Sequence, residues 1–347
     1  MATNSTNDKT FDHQSPSEVQ LYFDYNVVVF FMFLTSVCGV LGNSVNCVTF
    51  TRQGLQDRVQ LTLFSLSTSE LFSCVFCVGY TIAIVCKILE VPTYIGYEVI
   101  SYILIVLRCI FTDISSAITV FISIERCLCV TLPFIFNTKS TPKTTKIILT
   151  TLTVFVVINY VPLLCTENIT PYTDHENNVT ILSFGPSEGF EILNMYNDYL
   201  FGFTLSFLCQ ICVFVCAILM YRGLKKSSEV RDNSKEFGQL SKEKESNLTG
   251  SPLSRKERRV VKMVLMLACL YIPTGIPQII FVLVRIIFPE LYSTTYINLF
   301  EFMTCLLIVL STINGACSFF IYFHFSTNFR LALLGEKSDK VETRNTK

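Results

Sequence analysis

The chain has 347 residues, of which 51% are hydrophobic and 16% are charged, and its 27 basic and 27 acidic side chains cancel. With a mean hydropathy of +0.50, this composition excludes an ordinary soluble protein and indicates a membrane protein. Without a net basic charge, the chain has no field to attract nucleic acid. The 15 Cys lie singly in apolar stretches, which argues against a zinc site or a secreted disulfide scaffold.

Seven apolar segments are each long enough to cross a bilayer as a helix, which takes about 20 residues. The sequence therefore predicts an all-α membrane protein with a polar tail at 1–25, a seven-transmembrane helix bundle at 26–323 and a cytoplasmic end at 324–347. The tail has no basic patch before an apolar core, so we expect the first span to act as its own insertion signal. The spans lie near residues 26–50, 59–86, 97–128, 147–165, 197–221, 260–285 and 294–323.

Basic residues are concentrated on one side of the predicted bundle. Residues 222–262 hold twelve Lys and Arg, whereas the opposite side has little more than Lys9, Lys87 and Arg285. The positive-inside rule then places the N-terminus outside the cell and the C-terminus in the cytoplasm.

Four Asn residues begin N-glycosylation sequons. Asn4, Asn168 and Asn178 would face the glycosylating compartment, so we expect them to carry glycans. Asn247 lies on the inner side, and we expect it to stay bare.

Two inner segments have contrasting patterns. Residues 222–260 are rich in Ser, Lys and Glu and lack apolar periodicity, which predicts a solvated linker between helical extensions of the flanking spans. Residues 325–335 begin with Ser326 as a possible N-cap, continue with apolar residues at helical spacing and close with Gly335. This pattern predicts a short amphipathic helix on the inner surface. No Cys follows Cys317, so that helix has no site for a palmitoyl anchor.

The inner end of the third span carries Glu125-Arg126-Cys127, followed by Val130 and Pro133. This acid–Arg step resembles the Asp-Arg-Tyr signature of the rhodopsin-like G-protein-coupled receptors, with Glu for Asp and Cys for Tyr. The resemblance covers about residues 26–335. It implies a receptor in the plasma membrane that binds an extracellular ligand and activates a heterotrimeric G protein.

Other landmarks of that family are present in altered form. The second span still has an acidic residue at the family's position, and the sixth span still has its Pro. The landmarks are Gly42-Asn43, Glu70 in place of Asp, Tyr271 in place of Trp before Pro273, Ser318-Phe319 in place of Asn-Pro, and Tyr322.

A disulfide that the family normally forms at the outer end of the third span lacks both partners here. Ser101 stands at the first position, and residues 166–194 contain no Cys. The paired absence predicts that the outer loop is held in another way or moves more freely.

Three polar residues share one face of the third span. At about 100° per residue, Arg108, Ser115 and Arg126 lie within roughly 20° of one line. Because intramembrane charges turn toward the bundle, Arg108 should point inward at the level where the resemblance places ligand contacts, and bind a carboxylate. The alternative is an internal ion pair with Asp198, Glu301 or Asp113. The candidate ligand-binding residues are Arg108, Thr112, Tyr271 and Glu301.

Deeper in the bundle, polar residues from four spans resemble the family's internal sodium site. Their oxygen atoms suit Na⁺, but Glu70 could equally be protonated, because burial disfavours the charged form. These residues are Asn43, Glu70, Ser115, Asn314 and Ser318.

The resemblance also implies an activation switch at the inner end. Arg126 would pair with Glu125 at rest and exchange toward Tyr221 and Tyr322 when the sixth span swings outward, which opens a groove for a G-protein helix. Pro273 lacks an N–H and would provide the bend in the sixth span.

The sequence gives no support for an enzyme. The three His residues lie too far apart along the chain to be assembled into one catalytic site by any local argument. Residues 174–176, Asp-His-Glu, could bind a metal, but a solvated acidic loop is the favoured interpretation, and no cofactor beyond a possible Na⁺ is expected.

The alternative function is a ligand-gated channel or transporter with seven spans, which would need a continuous polar lining through several spans.

The ligand class stays open between a peptide and a small chemosensory molecule. The outer segments are acidic and would attract a basic peptide. Arg108 stands where monoamine receptors have an amine-binding acid, which argues against a monoamine. The pattern resembles the divergent peptide and chemosensory receptors of invertebrates, including those for short amidated peptides.

Overall fold

The structure is a computed structural model that describes residues 16–132, 141–166, 168–174, 179–185, 189–236, 255–288 and 296–335. The helices in chain order are α1 (Pro16–Gln53), α2 (Arg58–Ile88), α3 (Tyr97–Thr131), α4 (Pro142–Thr166), α5, α6 (Arg255–Ile287), α7 (Ile297–Phe325) and the short α8 (Thr327–Leu333). The fifth, α5, consists of α-helical Phe190–Asn197, π-helical Asp198–Leu205 and α-helical Ser206–Glu236. Between α4 and α5 lies a hairpin of β1 (Ile169–Asp174) and β2 (Val179–Phe184).

Each of the seven long helices contains a window apolar enough to cross a membrane, with mean hydropathies from 1.9 to 2.4. The predicted seven-helix membrane bundle is therefore confirmed. Large apolar side chains such as Phe30, Ile147 and Phe320 are more than 60% exposed on the outside of the bundle. Such a surface suits lipid, since helices satisfy their own backbone hydrogen bonds there, and the chain is a multi-pass membrane protein.

The helix α3 occupies the middle of the bundle, where it packs against α2, α4, α5 and α6, while α1 packs against α2 and α7. The main apolar core includes Leu66, Ile118, Ile122, Met220 and Val264, all nearly inaccessible to solvent. Because α3 is surrounded by other helices, the polar residues in the middle of this helix lie in the interior of the bundle.

The β-hairpin was not predicted, and it shows what holds the loop in the absence of a disulfide. β1 and β2 pair antiparallel with Ile169 opposite Phe184. Leu182 of β2 also pairs with the segment before α3: Gly96 N donates to Leu182 O at 2.7 Å, and Leu182 N donates to Tyr94 O at 3.0 Å. All 15 Cys lie in the described ranges and are free. Backbone hydrogen bonds therefore tie the loop to α3.

The short α8 follows α7 directly, as the sequence predicts. The Ser326 hydroxyl accepts a hydrogen bond from Phe329 N at 3.2 Å, which is the predicted N-cap. Gly335 has a φ of +77° just beyond the helix, which fits a closing glycine. Phe329 is fully buried, within 5.4 Å of Phe50 by ring centroids. We call this end of the bundle the α8 end and the opposite end, which carries β1 and β2, the hairpin end.

Several expectations concern residues outside the described ranges. They are the glycosylation sites Asn4 and Asn178, Pro133, His175 and Glu176 of the Asp-His-Glu run, and the middle of the predicted linker. Asn168 lies in the described part of the chain, where it is exposed just before β1.

Candidate functional site

A polar cavity of about 70 Å³ lies between α2, α3, α5, α6 and α7. Its wall includes residues that the sequence assigned to two separate groups, the ligand-binding set and the internal polar set. The structure thus places parts of both sets around one space. The predicted residues that line it are Glu70, Thr112, Ser115, Tyr271 and Asn314.

The cavity also has polar lining residues that sequence reasoning did not assign to a binding site. Asp113 lies on the wall beside Thr112, and α5 and α6 contribute Gln210 and Gln278. The Tyr160 hydroxyl of α4 donates a hydrogen bond to Asp113 Oδ2 at 2.6 Å. An acid inside an apolar span is itself a signal of function, so Asp113 could have been found from sequence, where it was considered only as a partner for Arg108.

Arg108 is 5% exposed, and its guanidinium lies beside the Cys77 thiol of α2. No carboxylate in the described ranges forms an ion pair with it, because Asp198 pairs with Arg285 and the nearby acid Asp113 accepts from Tyr160. Its Nε is buried and has no hydrogen-bond partner. The alternative of an internal ion pair is therefore not formed. Neither Arg108 nor Glu301, which is exposed, is among the residues that line the cavity.

Below the cavity, α1 and α7 are joined by a polar cluster. Asn43 Nδ2 donates to Gly315 O at 3.2 Å, and the Ser318 hydroxyl donates to Asn43 Oδ1 at 3.1 Å. Asn46, which the sequence analysis did not single out, donates to Asn43 Oδ1 and to the Ser318 hydroxyl. The carboxylate of Glu70 faces Gly315 and has one buried oxygen without a hydrogen-bond partner.

At the α8 end, Glu125 and Arg126 are buried and form an ion pair with Glu125 Oε1 2.9 Å from Arg126 Nη2. Arg58 of α2 approaches the same carboxylate oxygen at 3.6 Å. Tyr322 is fully buried and stacks edge-on against Phe50, whereas Tyr221 is 63% exposed. Among the predicted switch residues, Arg126 is therefore paired with its neighbour Glu125.

The comparison with known families agrees with this architecture. The family model for the seven-transmembrane receptors of the rhodopsin family matches residues 42–315, which is most of the chain. The chain belongs to the rhodopsin family of seven-transmembrane receptors. A search among curated proteins found no match. Members of this family are receptors rather than enzymes.

In this rhodopsin-family receptor, two Pro residues weaken the sixth helix. Pro273 and Pro277 both lie inside α6 and remove backbone donors. The Thr274 hydroxyl donates to Leu270 O at 2.8 Å, and Gln210 Nε2 from α5 donates to Tyr271 O at 3.3 Å. Side chains therefore bond carbonyls around the weakened stretch, and one of them links α5 to α6.

The replacement of the usual Trp by Tyr271 leaves an aromatic residue at the base of the cavity. Tyr271 is 8% exposed, packs with Val213 and Ala268, and has its hydroxyl near Ser116 of α3. A ligand in the cavity would contact this ring and the helix that carries the two Pro residues.

Proposed function

We propose that this receptor lies in the plasma membrane with its hairpin end outside, binds an extracellular peptide or small chemosensory molecule, and activates a heterotrimeric G protein at its α8 end. The observation that carries the proposal is the buried Glu125–Arg126 ion pair, which lies on α3 below a polar cavity lined by the same helix. A ligand that changes the packing around α3 and α6 would alter the stability of this pair.

The switch would work by exchange of partners. When α6 bends outward at Pro273, Arg126 leaves Glu125 and extends toward Tyr221 and Tyr322. The cost of leaving is moderate because Arg126 remains close to the aqueous inner surface and can snorkel. The space left by α6 accepts a helix of the G protein, and Pro133 after α3 belongs to the same coupling surface.

We further propose that Arg108 binds an anionic group of the ligand. Its guanidinium is buried without an ion-pair partner in the described ranges, and a planar guanidinium binds a carboxylate through two hydrogen bonds. Thr112, Tyr271 and Glu301 are the proposed companions at this level. Glu70, with Asn43, Ser115, Asn314 and Ser318, would form a polar cluster that holds either a proton or Na⁺ and differs between the two states.

The coupling proposal is tested by nucleotide exchange. Vesicles that contain the receptor and a purified G-protein heterotrimer are screened with amidated peptides and small carboxylates. Arg126→Ala is expected to abolish exchange while surface expression persists, and Arg52→Ala, an exposed cation at the end of α1, is expected to keep it. A ligand-induced current that survives G-protein inhibition would instead indicate the channel or transporter alternative.

The Arg108 proposal has its own test. For a carboxylate hit, Arg108→Ala should weaken binding about 10- to 100-fold, which corresponds to a charged hydrogen bond of about 1.5–3 kcal/mol. Lys87→Ala removes an exposed cation at the end of α2 and serves as the control. An unchanged affinity for Arg108→Ala would remove Arg108 as an anchor and leave the coupling proposal standing.

A further inference from the structure

The cavity between α2, α3, α5, α6 and α7 is one-sided in its charge. The lining residues described by the structure include two carboxylates, Glu70 and Asp113, and none of them is Lys, Arg or His. Arg108 is on α3 as well, but it lies five residues before Asp113. That spacing turns the two side chains about 140° apart and separates them by about 7.5 Å along the helix.

Several hydroxyl groups of the lining are committed to hydrogen bonds within the protein. The hydroxyl of Ser206 donates to Phe201 O at 2.6 Å and that of Thr274 donates to Leu270 O at 2.8 Å. The Thr312 hydroxyl donates to backbone carbonyls of its own helix. Ser73 and Thr112 share a hydrogen bond of 2.8 Å between their hydroxyls. Few of these protons are left for a ligand.

Acceptors, in contrast, are left open. The side chains of Glu70 and Gln210 are only 7% and 8% exposed, and their atoms Glu70 Oε2 and Gln210 Oε1 are buried without a hydrogen-bond partner. Asp113 accepts from Tyr160 through Oδ2, and its second oxygen remains available as an acceptor on the cavity wall. A buried acceptor without a donor is unfavourable, so an occupant that brings donors is stabilised.

We infer that this cavity binds a cationic hydrogen-bond donor of the ligand, an ammonium or guanidinium group, with the Asp113 carboxylate as its counter-charge and Gln210 Oε1 as a further acceptor. The inference rests on the proposed receptor function, since it assumes an extracellular ligand that enters the bundle. It is independent of the role proposed for Arg108.

Two contacts fix the orientation of the Gln210 side-chain amide. Its Nε2 donates to Tyr271 O, and a Cβ on Gly275 would collide with its amide. The amide is thus held with Nε2 toward α6 and Oε1 free. An occupant that donates to Oε1 would be connected through Gln210 to the Pro-containing stretch of α6.

The test uses purified receptor in phosphatidylcholine nanodiscs without any G protein. Binding of butylguanidinium, butylammonium, butyrate and NaCl is measured by thermal stabilisation over a concentration series. We expect the two organic cations to bind and butyrate of the same chain length not to bind. Asp113→Asn should weaken their binding about 10- to 100-fold, as expected for a charge-assisted hydrogen bond.

The variants are chosen so that folding can be separated from binding. In Asp113→Asn the side-chain carbonyl still accepts from Tyr160, so the contact to α4 is kept. Gln210→Leu should weaken guanidinium binding by about 2- to 10-fold, which is the range for a neutral hydrogen bond. Glu98→Gln changes an exposed acid in the first turn of α3 and should leave binding unchanged.

Three outcomes would overturn the inference. They are binding of butyrate as tight as that of the cations, organic-cation binding that Asp113→Asn does not change, and stabilisation by NaCl alone, which would identify the cation as Na⁺ near Glu70. Because no G protein is present, each of these leaves the coupling proposal intact. If the organic cations bind in nanodiscs but no nucleotide exchange occurs in the vesicle assay, the coupling proposal is contradicted and the present inference stands.

Discussion

At the scale of single residues, Glu125 is the most informative, because two cations share its carboxylate. Arg126 lies 2.9 Å and Arg58 3.6 Å from the same oxygen. Replacing the acid removes the attraction that holds Arg126 in place. A buried ion pair that loses one partner also leaves an uncompensated charge, which favours any conformation in which Arg126 finds another partner.

The first prediction is that Glu125→Gln raises ligand-independent nucleotide exchange. A charged hydrogen bond is worth about 1.5–3 kcal/mol, so the equilibrium toward the released state should shift by roughly 10-fold or more. The measurement is basal exchange on the G protein at matched surface expression. Glu90→Gln, which changes an exposed acid at the other end of the bundle, is the control. Basal exchange equal to that of the unsubstituted receptor would contradict a restraining role for Glu125.

The second prediction compares two glycines at helix contacts. A Cβ on Gly39 of α1 would lie 2.5 Å from Cys74 Sγ, whereas a Cβ on Gly315 of α7 would lie 3.6 Å from the Glu70 side chain. Gly39→Ala should therefore lower the free energy of unfolding by about 1–3 kcal/mol through overpacking. Gly315→Ala meets an ordinary contact distance and should be tolerated. Thermal unfolding of both variants in nanodiscs measures the difference, and equal melting temperatures would show that α1 and α2 can separate at little cost.

At the scale of elements, the hairpin is held to α3 by backbone hydrogen bonds in place of the missing disulfide. Gly96 N donates to Leu182 O at 2.7 Å, and a Cβ on Gly96 would lie only 3.1 Å from that oxygen. The partner is backbone, so it cannot rotate away as a side chain would. Tyr102 of α3 adds an edge-on contact to Phe184 of β2 at 5.4 Å.

The third prediction is that Gly96→Val loosens this attachment. The added methyl groups push Leu182 away, so the amides of Gly96 and Leu182 should exchange with solvent about 10-fold faster or more, as for a lost hydrogen bond. Hydrogen exchange followed by mass spectrometry gives the rates. Gly79→Ala is the control, because its Cβ would meet the mobile end of Leu104 at 3.2 Å. Unchanged exchange at Leu182 would mean that the hairpin is held elsewhere.

The fourth prediction concerns the start of α8. Ser326 accepts from Phe329 N, so Ser326→Ala should cost about 1 kcal/mol of helix stability, whereas Ser326→Gly should cost only a few tenths of a kcal/mol. Faster amide exchange at Phe329 and Arg330 in the Ala variant would report the loss. If the two variants behave alike, the packing of Phe329 rather than the cap holds the helix.

The elements differ in how well sequence predicts them. The seven spans follow from apolar length, and α8 follows from Ser326 and Gly335, because these signals are local. The attachment of the hairpin to α3 does not, since it depends on Leu182 meeting a segment about 87 residues earlier in the chain. Similarly, Asn46 and Gln210 look like ordinary polar residues until the neighbouring helices bring Ser318 and Tyr271 to them. Helix periodicity assigns a residue to a face, but it does not identify the partner.

At the scale of the whole molecule, α3 joins the two regions that a receptor must couple. Thr112 and Asp113 line the cavity, and Arg126 lies on the same helix about 20 Å further along at about 1.5 Å per residue. The partner helix α6 carries Tyr271 at the cavity and two Pro residues beside it. Under the proposed coupling, an occupant that changes the contact of α3 with α6 would bias the Glu125–Arg126 pair, and by linkage a bound G protein would change affinity in the cavity by the same factor.

The fifth prediction tests the orientation on which this coupling depends. Asn168 is exposed at the hairpin end, and Asn247 lies in the loop between α5 and α6, next to a concentration of Lys and Arg. The positive-inside rule places that loop in the cytoplasm, where N-glycosylation does not occur. In a background of Asn4→Gln and Asn178→Gln, we expect the receptor to carry one glycan that peptide N-glycosidase removes.

In that background, Asn168→Gln should remove the glycan shift on a gel, and Asn247→Gln should leave it unchanged. The two sequons lie on opposite sides of an odd number of spans, α5 alone, so only one of them can reach the glycosylating compartment. A glycan found at Asn247 would place the α8 end outside the cell. Arg126 would then face away from any cytoplasmic G protein, and the cavity, the ion pair and α6 would need a different explanation.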